Sequence, residues 1–120
     1  MHFKQIKTIQ DASVLLGIDY CDPSELGFII SEQFSKSLAA ACEIAVIATA
    51  INKLDTNNPN NEDGYFCPLF LVQGDEFSFG GVRVAYTSRS MPHVHCYRSR
   101  EAATYAGQQF IAHYRNMILP

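Results

Sequence analysis

Leu38-Ala-Ala-Ala-Cys-Glu-Ile-Ala-Val-Ile-Ala-Thr-Ala-Ile51 is the stretch on which the fold turns. From Ile44 to Ile51 the residues are apolar on nearly every side, so a helix here must be buried on several sides at once. Upstream, Leu26, Ile30, Phe34 and Leu38 recur every four residues as a single stripe. Asp22 suits an N-cap, Pro23 the first helical position, and Glu25 the positive end of the helix dipole. One straight helix over residues 23–54 would be about 48 Å long, against a diameter of about 35 Å for a compact domain of this size. The helix is therefore expected either to break, at Ser35-Lys36-Ser37, or to project and be shared with another subunit. A homodimer is the favoured outcome.

The chain around this helix reads as a single α+β domain over residues 1–120: a helical half (1–55), a surface loop (56–64) and a strand–strand–strand–helix half (65–120). Thr8-x-x-Asp11 is a capping pattern for a short helix through Leu16, stopped by Gly17, with residues 3–7 extended before it. Thr56-Asn-Asn-Pro-Asn-Asn-Glu-Asp-Gly64 carries no apolar side chain and reads as a loop. Cys67 to Gln73 is a short apolar run, Gly74-Asp75 suits a two-residue hairpin turn, and Phe77 to Thr87 alternates. Val82, Val84 and Tyr86 fall on one face, Arg83, Ala85 and Thr87 on the other, and Gly80-Gly81 marks a bulge or bend. Ser88-Arg-Ser-Met-Pro92 turns the chain and His93 to Tyr97 returns, completing a three-stranded antiparallel meander. Ser99 caps a closing amphipathic helix with the stripe Ala103, Ala106, Phe110, Tyr114 and Met117. Gly107 lies beside that stripe, where a missing side chain lets the helix approach the sheet closely.

Composition sets broad limits. Of 120 residues 48% are hydrophobic and 18% charged, which is globular rather than disordered or fibrous. No apolar stretch follows the early lysines as in a signal peptide. The longest apolar run is the eight residues Ile44–Ile51, whereas a membrane span needs about 20. These features predict a soluble, cytoplasmic protein with no membrane partner. The four cysteines show no C-x-x-C pair and are expected to be reduced, mostly buried thiols.

Charge is segregated along the chain. Residues 1–76 hold all four lysines and eleven acids, a net of −7; residues 77–120 hold all five arginines and one acid, Glu101, a net of +4. The near-neutral total of −3 hides this asymmetry. Arginine makes bidentate contacts to phosphate or carboxylate and stacks on flat rings. Alternation places Arg83, His93, His95 and Tyr97 on one sheet face, and Arg98 and Arg100 flank the last helix's N-terminus, whose N–H groups favour anions.

The leading expectation is a non-enzymatic, homo-oligomeric binding module. Arg83, His93, His95, Tyr97, Arg98 and Arg100 would engage an anionic partner: a small anion, an acidic protein or nucleic acid. The alternatives are a pocket-type enzyme or ligand carrier lined by Tyr86, His93, His95 and Tyr97, and an interaction protein acting through its long helix.

Specific chemistry finds little support in the sequence. His93-x-His95 followed by Cys96 is the nearest approach to a metal motif, but Cys96 falls on the opposite face and no second ligand pair exists. The same alternation separates Cys96 from His95 as a nucleophile–base pair. Asp75-Glu76 sits at a turn, and dinucleotide, Walker, esterase-elbow and zincin motifs are absent. Neither a metal nor a cofactor is expected. Gln10-Asp-Ala-Ser-Val-Leu-Leu-Gly-Ile18 is similar to the first helix and turn of a helix-turn-helix, but the next helix opens Ser-Glu-Leu-Gly-Phe-Ile-Ile-Ser-Glu, without bases for a major groove. The order helix, three strands, helix over residues 34–118 resembles double-stranded RNA-binding domains. Their basic helix start is reduced here to Arg98 and Arg100, opposed by Glu101. Neither resemblance assigns a family.

Overall fold

The chain starts its structure with caps rather than with packing. In the computed structural model, which describes residues 2–20, 32–57, 64–85 and 96–119, Thr8 Oγ1 accepts the Asp11 N–H at 3.1 Å and opens α1 (Ile9–Leu16). Gly17, at φ 66°, closes it in the left-handed conformation open to glycine. Residues 3–5 are not extended as expected. Phe3–Gln5 form a 3-10 turn in which His2 Nδ1 accepts the Lys4 N–H and the Gln5 side chain accepts the His2 N–H. The turn sinks Phe3 and Ile6 into the core, each 1% exposed.

The Ala-rich helix is α2 (Glu32–Leu54), and it runs unbroken through Ser35-Lys36-Ser37. Ser37 Oγ donates to the Met117 carbonyl at 2.8 Å, so the serine ties α2 to a neighbouring helix instead of breaking it. Its 23 residues span about 35 Å at ~1.5 Å each, within the 42 Å longest dimension. The described length thus fits inside one subunit. The expected start at Asp22-Pro23 lies outside the described residues. Ile44, Ile47, Ala48, Ala50 and Ile51 form the centre of the core, where α1, the 3-10 turn and the C-terminal helical segment meet α2. Ser35–Leu54 is also long and apolar enough, by length and composition alone, to cross a membrane, so the short apolar run does not decide that question.

The hairpin follows the sequence closely. β1 (Tyr65–Gln73) and β2 (Glu76–Ala85) pair antiparallel across Gly74-Asp75, with Gly74 at φ 59°. Leu69 faces Gly81 and Phe70 faces Phe79, leaving Gly80 as the extra residue of a bulge. Among the described residues the sheet has two strands. Of the expected third strand, His93 to Tyr97, residues 93–95 lie outside the described residues, and Tyr97 makes an antiparallel bridge to Phe66, with N–H···O distances of 2.8 and 2.7 Å. Ser99 caps the next helix two residues later, so the pairing cannot run on past Tyr97. Tyr86, His93, His95 and the turn between them lie outside the described residues.

The bridge also corrects the reading of the cysteines. It sets Cys96 beside Cys67 of β1 with Cα atoms 4.7 Å apart, and the two form a disulfide, while Cys42 is free. The closing helix is two: α3 (Arg100–Gln109) and α4 (Ile111–Ile118), with Phe110 between them at φ −109°, ψ 28°. The bend lets Ala103, Ala106, Phe110 and Tyr114 all reach the core. Gly107 is buried against the hairpin, where an added Cβ would lie 2.9 Å from Pro68 Cβ. That close approach is the one its sequence position predicts.

Candidate functional site

Of the arginine surface expected from sequence, the structure keeps part and reassigns part. Tyr97 is fully buried, its hydroxyl 2.8 Å from that of Tyr114. Burial pushes both phenols above their ordinary range. Tyr97 shares a face with Phe66 and Val84, whereas Arg83 pairs with Cys67 on the opposite, outward face. Arg83 and Tyr97 therefore do not share a face. Arg98 packs on the end of α2: its backbone N–H donates to Asn52 Oδ1 at 3.0 Å and its Nη1 to the Asn52 carbonyl at 3.4 Å.

The N-terminus of α3 already has its anion. Ser99 Oγ accepts the Ala102 N–H at 3.1 Å and donates to Asp55 Oδ2 at 2.5 Å. Asp55, 2% exposed, takes a second bond from the Asn57 N–H at 3.0 Å. The negative charge that the helix dipole favours is thus supplied from the end of α2, within the chain. A carboxylate just past a helix C-terminus faces the negative end of its own helix, an unfavourable place that signals a compensating partner. That was the sequence clue to Asp55.

Arg100 remains accessible. The first two turns of α3 and the 3-10 turn enclose an open depression of about 400 Å³ lined by Lys4, Arg100, Glu101, Thr104, Tyr105 and Gln108. Tyr105 holds its two walls together. Its ring meets Phe3 edge-on at 5.8 Å, and its hydroxyl donates to the Ile6 carbonyl at 2.8 Å with the Lys4 carbonyl at 3.0 Å. Burial, then the charge of Asp11, raises its pKa, so the phenol stays neutral. Glu101 is occupied by Lys4 Nζ at 3.3 Å and by the Asn57 amide at 3.3 Å. The Arg100 guanidinium lies 5.5 Å from the centre of the Phe66 ring and has no ion pair among the described residues. Stacking on an aromatic face holds the cation in place without neutralising it.

The sequence reading named Arg100 as a site candidate and did not name Lys4, Thr104, Tyr105 or Gln108. Thr104 lies one helical turn beyond Arg100 and Gln108 two, a spacing that marks a shared α3 face. Nothing local links Lys4 to them, 96 residues away from Arg100. Among the described residues no group of three potential metal ligands exists. Comparison with protein-family models, curated proteins and solved structures gives no match.

Proposed function

We propose that the chain is a non-enzymatic binding module that takes an anionic group into the depression of Lys4 and Arg100. The observation that carries the reading is Arg100: a guanidinium seated on Phe66, without a carboxylate partner among the described residues, at the edge of a concavity where Glu101 is paired with Lys4 and Thr104, Tyr105 and Gln108 complete the lining. Arginine in that setting makes bidentate contacts to carboxylate or phosphate, and the amide and hydroxyl of the lining add neutral hydrogen bonds. Of the outward arginines, Arg83 is exposed on the far sheet face and is not part of this concavity. The proposed partner is an acidic protein segment or a phosphorylated small molecule. The shallow, open shape suits a surface contact.

The test is a binding titration with polyphosphate and with a polyglutamate peptide. Affinity should fall as salt rises, and Arg100→Glu should weaken it by roughly tenfold, about 1.4 kcal/mol for a charge-assisted pair. A binding curve that ignores both salt and Arg100→Glu rejects the reading.

A second reading, an interaction protein working through α2, rests on one observation. Only a third of the apolar segment Ser35–Leu54 is buried, and Leu38 is 42% exposed. Ala45→Glu, on a half-covered position, should then abolish self-association.

A further inference from the structure

The hairpin carries a second surface, independent of the depression. Strand pairing puts Phe66, Pro68 and Phe70, with Val84, Val82 and Phe79, on the face that α3 and α4 cover. The opposite face carries Cys67 with Arg83, Leu69 with Gly81, Leu71 with Ser78, and Gln73 with Glu76. Leu69 is 44% and Leu71 53% exposed, so the centre of this outward face is apolar. An added Cβ at Gly80 would lie 2.9 Å from Leu71 Cγ, so the bulge lets the leucine lie across β2 and flatten the patch.

Its two ends carry opposite charge. Arg83 is exposed at the base, Glu76 is exposed at the tip, and neither has an ion pair among the described residues. The arrangement is self-complementary. Position 70 lies midway between the Cys67–Arg83 rung and the Gln73–Glu76 rung. A two-fold axis crossing the strands there lays one hairpin over another in antiparallel sense. Leu69 of each copy then meets Leu71 of the other, and Arg83 of each meets Glu76 of the other.

We propose that this outward face is a docking surface for a second copy of the chain, closed as a symmetric dimer by the Leu69–Leu71 patch and two reciprocal Arg83–Glu76 pairs. The area places it among weak interfaces. Nine residues at ~3.3 Å and two strands about 10 Å across give roughly 300 Å² per copy, about 600 Å² in all. A stable interface buries about 1,200–2,000 Å², so this dimer is transient, with a Kd to be sought between about 10 µM and about 1 mM.

Sedimentation equilibrium of the full chain from about 10 µM to about 1 mM brackets that Kd. The wild type should pass from monomer to dimer over the range, and Leu71→Asp should raise Kd at least roughly tenfold. Arg83→Glu alone and Glu76→Arg alone should each weaken the dimer roughly fivefold, because each sets like charges against one another. The double variant should return to within about threefold of wild type, because opposite charges face again. Both positions are exposed, so the swap tests the interface even where Leu71→Asp disturbs folding. A chain that stays monomeric throughout overturns the proposal, as does a dimer unmoved by these changes or a double variant that fails to recover. A dimer abolished by Ala45→Glu but indifferent to the swap moves the interface to α2. Polyanion binding, read separately at Arg100, is unaffected by either result.

Discussion

Tyr97 and Tyr114 show what a single buried pair does to this protein. Two hydroxyls share one hydrogen bond of 2.8 Å in the core, one donating and the other accepting, where burial leaves each dependent on the other. Tyr97→Phe strands the Tyr114 hydroxyl and should cost about 1–3 kcal/mol. The double change to phenylalanine removes both polar groups and should cost less than the sum of the singles, which urea unfolding of the four proteins would reveal. The pair also sets an alkaline limit. Folded phenols with raised pKa values keep their protons while the unfolded chain ionises from about pH 10 upward. Their contribution is therefore complete at neutral pH and drains away as pH rises above about 10. Unfolding midpoints at about pH 8 and about pH 11 should diverge in wild type and diverge less in the double variant, where Tyr105 is left as a phenol with a raised pKa.

At the scale of elements, the end of α2 organises the second half of the molecule. Asn52 acts like a strand of one residue: its amide donates to the Cys96 carbonyl at 2.9 Å and its carbonyl oxygen accepts the Arg98 N–H at 3.0 Å. Asp55 then receives Ser99 at the head of α3. These bonds fix the segment 96–98 to the end of α2. Asp55→Ala leaves the buried Ser99 hydroxyl without its acceptor and an α3 N-terminus without its charge. The expected loss is about 2–3 kcal/mol, readable as a lower midpoint in chemical denaturation. An Asp55→Ala protein as stable as wild type would show that the cap works without the carboxylate.

For the whole molecule, the disulfide is the long-range fastener. It joins residues 29 apart, linking β1 to the segment that α2 holds. Closing a loop of that length restricts the unfolded chain by about 3–4 kcal/mol in the chain-entropy account. Reduction should lower the melting temperature markedly, and thiol labelling of the unreduced, unfolded chain should modify Cys42 and leave Cys67 and Cys96 unlabelled. The bond also bears on location, since disulfides persist in oxidising compartments and a cytoplasmic chain would hold these thiols reduced.

By itself the sequence determined the elements whose rules are local. Thr8 and Gly17 bound α1, Gly74-Asp75 turns the hairpin, Gly80 bulges it, and Ser99 starts α3, because caps and turns act over two to four residues. Periodicity placed the buried stripe Ala103, Ala106, Phe110 and Tyr114, and the missing side chain of Gly107 beside it. The same periodicity gave no sign of the bend at Phe110, which satisfies two helix faces at once. Only the tertiary structure decided which polar groups meet. Ser99 with Asp55, Arg98 with Asn52, Cys67 with Cys96 and Lys4 beside Arg100 are joined across 29 to 96 residues. Charge segregation drew attention to the second half, and only the fold placed Tyr97 in the core and Arg100 at the surface. Side-chain fate at a site depends on what packs over it, and packing joins segments that local rules treat as strangers.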